Sequence, residues 1–242
     1  MFLRRTKLQK PLGDICKDFY ENSILNPTLG DGRVDVLSIM AQTQKGILAE
    51  QDSRLANIDV QSLVKETINL RFELFGLAFL HLFGPDLAVK ASLFTYDFLD
   101  ANGRREIWHD MGVYNQQIAR SFLFLKKRMG SAWERHVAIT NKRRSELFAK
   151  YLDEARRSGI DVENDNFGNR IARPLNHMFT EKIWNDGTTA SCLIIPFCDR
   201  LGFDPEFIPS VPARKALVSI ITGLYSGARI AMQNVEPTDR YP

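Results

Sequence analysis

Apolar residues recur along this chain with helical spacing. Between Val36 and Leu55, the positions Leu37, Met40, Ala41, Leu48 and Leu55 fall three, four and seven apart and form one stripe along a helix. From Ile68 to Phe83 the pattern changes. Leu70, Phe72, Leu74, Phe75, Leu77, Phe79, Leu80 and Leu82 point in nearly every direction around the axis. A helix that is apolar on all sides belongs at the middle of a bundle. Asp59 suits the N-cap of this segment, Gly84 its C-terminus, and Pro85 the first turn of the next helix.

The stretch after Pro85 has two readings. Leu87 to Leu99, ending at Asn102-Gly103, reads as a helix followed by a turn. Asn-Gly between Leu93–Phe98 and Ile107-Trp108 is also a hairpin signal, so residues 91–109 stand between helix and hairpin, with helix–turn–helix the preferred reading. Arg104 to Ser158 contains no proline and is rich in helix formers, with Gly112 and Gly130 as points of bending or division. Gly159 to Gly168 is a polar loop. Ile171, Leu175, Met178, Phe179 and Ile183 stripe a further helix, Thr188 or Thr189 caps another that Pro196 kinks, and Ser210 with Pro212 opens a last one from Ala213 to Gln233. The tail from Glu236 is expected to fray. These segments predict an all-α, single-domain bundle of about seven or eight helices over residues 1–242, with residues 169–235 as a C-terminal helical subdomain.

Composition narrows the class. The chain has 242 residues, 44% hydrophobic and 25% charged, enough to bury a core without disulfides. Its net charge of +3 does not by itself demand a nucleic-acid or membrane partner. The three cysteines, Cys16, Cys192 and Cys198, are odd in number, so at least one stays unpaired in a monomer; apolar surroundings make core filling their expected role. Met1–Lys7 is basic but is followed by Lys10-Pro11-Leu12-Gly13 rather than an apolar run, and Ile68–Phe83 is shorter than the roughly 20 residues a bilayer requires. The expectation is a cytoplasmic protein with no membrane span.

Several residues carry candidate chemistry. Ile107-Trp108-His109-Asp110-Met111-Gly112 resembles the central motif of the HD-domain metal-dependent phosphohydrolases, with His81 lying 28 residues upstream. That resemblance implies an all-helical fold, a divalent metal held by His81, His109 and Asp110, and a later aspartate among Asp153, Asp161 and Asp165. Such a metal would activate water for attack on phosphorus. The competing reading of His109-Asp110 is a surface histidine beside an acid. Glu106 and His109 also form the half-motif of ferritin-like di-iron bundles, with Glu73 as a further ligand, but no second Glu-x-x-His accompanies it. His177 and Glu181 share a helix face as an isolated pair.

Glu66, Arg71 and Glu73 lie inside the apolar helix, where an unpaired charge costs several kcal/mol. An arginine from a neighbouring helix is the expected counterion, and ligation of a metal or substrate the alternative. Arg128, Arg135 and Lys142, spaced by seven, form a basic stripe in a segment whose ten cations from Lys126 to Arg157 are interleaved with acids. Ser219, Gly223, Gly227 and Ala231 form a small-residue ridge suited to close packing or a dimer seam. Phosphate-loop, nucleophile-elbow and dinucleotide-binding signatures are absent.

The sequence therefore points first to a non-catalytic interaction or structural module. It reads either as self-associating through the Gly223/Gly227 helix or as enclosing a small apolar ligand between aromatic-rich helices. The HD-type phosphohydrolase is the alternative, and a nucleic-acid-associated protein using the basic 126–157 face is a further one. No cofactor is specified.

Overall fold

The computed structural model describes residues 7–21, 28–29, 34–101, 130–163, 167–168, 171, 193–194, 197–204 and 207–238. The chain is an all-α multi-helix bundle. Its elements are β1 (Leu8–Pro11), α1 (Leu12–Tyr20), β2 (Thr28–Leu29), β3 (Val34–Asp35), α2 (Val36–Gln51), a 3-10 turn (Ser53–Leu55), α3 (Val60–Phe83), α4 (Pro85–Ala101), α5 (Ser131–Arg157), α6 (Val211–Met232) and β4 (Val235–Thr238).

The boundaries of α3 follow from its end residues. The Asp59 carboxylate accepts the Ser62 amide N–H at 2.7 Å, satisfying one of the orphan donors of the first turn. At the other end Gly84 adopts φ 83°, a left-handed backbone that a side chain disfavours, while its N–H still reaches the Leu80 carbonyl at 2.9 Å. Pro85 then begins α4 without needing the N–H it lacks. Residues 91–101 are helical, which settles that part of the helix-or-hairpin alternative; residues 102–109 lie outside the described residues.

Helix α3 packs against α2, α4 and α6, α4 also against α1, and α2 also against α6. Leu63, Leu70, Phe72, Leu74, Phe75, Leu77, Ala78, Phe79 and Leu80 are all buried. Phe75 stacks on Phe19 of α1 at 3.8 Å between ring centroids, Tyr20 stacks on Phe72 at 4.5 Å, and Phe79 follows Phe75 at 5.8 Å. Each of these large side chains contributes about 1.5–3 kcal/mol of burial. The rings fill the centre by contacting one another. Between α4 and α1, the Thr95 hydroxyl lies 2.7 Å from the Ala91 carbonyl and 2.9 Å from the Tyr20 hydroxyl. A hydroxyl has one proton and the carbonyl can only accept, so Thr95 donates to Ala91 and accepts from Tyr20.

Two departures from the sequence reading concern chain ends and corners. The stripe that runs to Leu55 is broken at Gln51, where Asp52 turns the chain into the 3-10 turn. The tail does not fray through Thr238: β4 pairs in parallel with β1, setting Leu8 opposite Val235 and Pro11 opposite Thr238. The Leu8 N–H reaches the Asn234 carbonyl at 3.0 Å, so backbone hydrogen bonds hold the two ends of the described chain together. A second short ladder sets Thr28 opposite Asp35. No helix among the described residues is long and apolar enough to cross a membrane.

Candidate functional site

The polar residues of α3 lie within a buried setting. Glu66, Thr67, Asn69 and Glu73 are all buried, and Arg71 is half-buried. Arg200 places Nε 2.5 Å from Glu66 Oε2, and the Asn69 side-chain amide donates to Glu66 Oε1 at 3.4 Å. Thr67 returns its hydroxyl proton to the Leu63 carbonyl at 2.8 Å and lies 3.4 Å from Gln44 Oε1 on α2. Arg71 directs Nη2 at the Met40 sulfur at 3.3 Å, and burial pushes its pKa down. Each oxygen of the Glu66 carboxylate thus accepts one hydrogen bond, from the guanidinium and from the amide. The ion pair joins α3 to the segment carrying Arg200.

His81 lies near the C-terminus of α3, where Nδ1 is 2.6 Å from the Tyr225 hydroxyl of α6, the two rings meeting edge to face. Nε2 is buried. The proposed metal partners His109 and Asp110 lie outside the described residues, as do Glu106, His177 and Glu181. Among the described residues no group of three or more His, Cys, Asp or Glu side chains is placed to hold a metal ion.

A polar junction that the sequence reading missed joins α2 to α6. Asp52 accepts from Arg54 Nε at 2.9 Å, Arg54 Nη2 at 2.7 Å and the Ser210 amide at 2.8 Å. Those donors, the Arg54 guanidinium first, hold its pKa well below the usual carboxylate range. Ser210 is also the N-cap of α6: its hydroxyl accepts the Ala213 N–H at 3.2 Å and donates to the Gln51 carbonyl at 2.9 Å. Arg54 further lies over the Phe207 ring, 4.8 Å from its centroid. The signal available in sequence was Asp52-Ser53-Arg54 interrupting a helical stripe.

The remaining candidates are exposed. Ser219, Gly223, Gly227 and Ala231 all face solvent along α6. Tyr225, two residues from each glycine and so about 200° around the axis, is buried. A β-carbon built on Gly223 or Gly227 would meet nothing within 4 Å. Ile230 on the same helix is 61% exposed, and α2, packed beside it, exposes Ile39 and Ile47. On α5, Arg135 and Lys142 are exposed, whereas Arg128 lies outside the described residues. That helix is tethered near its C-terminal end. Asp86 at the start of α4 accepts from Tyr151 at 2.5 Å and from Lys150 at 3.0 Å, which lowers its pKa.

Both described thiols are in the core. Burial pushes Cys16 and Cys198 up to about 12, with the Asp52 charge adding to the effect on Cys198. Comparison of the chain with family models, curated proteins and solved structures finds no match.

Proposed function

We propose that this chain is a non-catalytic helical interaction protein whose contact surface is the small-residue ridge of α6, and whose partner there is a second copy of itself. The observation that carries this reading is the open space around Gly223 and Gly227. Glycine inside a helix costs about 0.5–1 kcal/mol relative to alanine, and a close neighbour would explain it. Here no neighbour within the described chain comes close enough to require the missing side chain. A local rule broken without a reason among the described residues suggests a surface built for something outside the chain. The stretch from Ala216 to Ala228 carries no charge, so two copies can approach without burying an ion. A two-fold arrangement would use the same patch on both copies.

The chemistry-bearing residues that are described support a binding role over catalysis. Glu66 is engaged by Arg200 and Asp52 by Arg54 and Ser210, and neither thiol is readily ionised.

Sedimentation equilibrium of the full chain, compared with Gly223→Leu/Gly227→Leu, tests the reading. Concentration-dependent dimerisation that the leucines abolish is the expected result. A wild-type chain that stays monomeric into the millimolar range, or a dimer indifferent to both leucines, would overturn it. Gly223→Ala/Gly227→Ala serves as a folding control. It should raise monomer stability by about 1–2 kcal/mol from helix propensity, while weakening association.

A further inference from the structure

Charge is distributed unevenly along the chain. In the sequence, seven of the 32 Lys and Arg residues but one of the 29 Asp and Glu residues fall within positions 126–145. That is a local net charge of +6, so the rest of the chain carries −3. In the described part of this segment, Arg135, Lys142 and Arg143 on α5 are exposed, and positions 135–145 contain no acid. Some of the cations elsewhere are paired with acids. Lys10 pairs with Asp18, Arg54 with Asp52, Lys150 with Asp86, Arg156 with Asp153 and Arg200 with Glu66. Arg135, Lys142 and Arg143 make no ion pair among the described residues.

We infer that this face of α5 binds the phosphate backbone of a nucleic-acid duplex without reading its sequence. Arg135 and Lys142 lie on one helix about 10 Å apart at 1.5 Å per residue, with Arg143 beside the latter. A row of cations on a rigid rod, paired with no acid among the described residues, suits a partner of repeating negative charge, and counterion release from such a polyanion supplies the affinity. Single strands are bound through exposed aromatic platforms. A straight row of cations on a rigid helix suits instead the stiff, regularly charged backbone of a duplex. A lipid surface would require an apolar face to embed, and among the described residues of this stretch Ile139, 71% exposed, is the exposed large aliphatic side chain.

Fluorescence anisotropy of the full chain with a labelled mixed-sequence DNA duplex, across 50 to 200 mM salt, tests this inference. Three phosphate contacts predict a slope of about −3 in log affinity against log salt, or about a 40-fold loss over that range. Arg135→Glu/Lys142→Glu/Arg143→Glu should lower affinity at least tenfold at low salt. Lys7→Glu/Lys17→Glu/Lys65→Glu takes the chain from +3 to −3 just as the first variant does, and should change affinity much less. The glutamine triplet at positions 135, 142 and 143 should reproduce the loss if the reversed chain folds poorly, as judged by circular dichroism. The inference is overturned if no duplex binds at 50 mM salt or if both glutamate triplets weaken binding equally. It is also overturned if polyglutamate or phosphatidylserine vesicles bind as tightly as the duplex. The glycine variants of α6 should leave duplex binding intact, so this surface and the ridge can fail independently.

Discussion

Arg200 Nε stands 2.5 Å from Glu66 Oε2 with the two side chains 9% and 4% exposed, so one ion pair is almost wholly enclosed at the side of the central helix. Removing one partner leaves the other charge buried without compensation. Replacing both by apolar groups removes the desolvation cost together with the attraction. Glu66→Leu alone is therefore expected to destabilise the chain by about 3–5 kcal/mol, and Arg200→Met alone by a similar amount. Glu66→Leu/Arg200→Met should be more stable than either single variant. Urea denaturation midpoints at constant m-value measure this cycle, and single costs that simply add would show that the two side chains do not act as a pair.

Asp52 links acid sensitivity to the junction between α2 and α6. Its pKa is lowered in the folded chain, so in acid the unfolded state binds the proton more readily. The stabilisation is complete above the unfolded carboxylate value of about 3.9 and is lost as pH falls through the lower folded value. Asp86 and Asp59 are lowered too and act with the same sign. Asp52→Asn should lower stability at neutral pH and reduce the loss of stability between about pH 4 and pH 2. Chemical denaturation repeated across that interval checks both effects; an acid limb as steep as that of the unaltered chain would remove Asp52 from the account.

Cys16 and Cys198 should resist alkylation. A thiol pushed up to about 12 is ionised to roughly one part in ten thousand at pH 8, and both side chains are buried. Iodoacetamide under native conditions should leave the peptides containing them unmodified, whereas both should react promptly in strong denaturant. Mass spectrometry of the digested protein reads the outcome, and native labelling at either position at the rate of a free thiol would mean that its surroundings are open.

The centre of the fold was legible because its signals are local. Asp59, Gly84 and Pro85 bound α3 through caps that act within one turn, and Ser210 with Pro212 marks the start of α6 in the same way. The burial of Glu66 and Glu73 followed from their place on a helix apolar all round, and an arginine was the expected counterion. Which arginine was not legible, because Arg200 is 134 residues away and is brought there only by the packing of intervening segments. The pairing of β1 with β4 was hidden for the same reason. Two four-residue strands, each containing a proline, have no periodicity of their own, and their ladder joins the two ends of the described chain. Tyr225 as the neighbour of His81 is a third long-range contact of this kind.

Native-state hydrogen exchange followed by mass spectrometry or NMR tests the central claim, that α3 is the enclosed spine of the bundle. Amides from Leu70 to Leu80 should exchange only through global unfolding, with protection that tracks the unfolding free energy as denaturant is added. Those from Ala132 to Lys142 on the exposed part of α5 should exchange through smaller local openings. If the Leu70–Leu80 amides exchange as fast as the Ala132–Lys142 amides, α3 is not enclosed, and the proposed architecture fails with it.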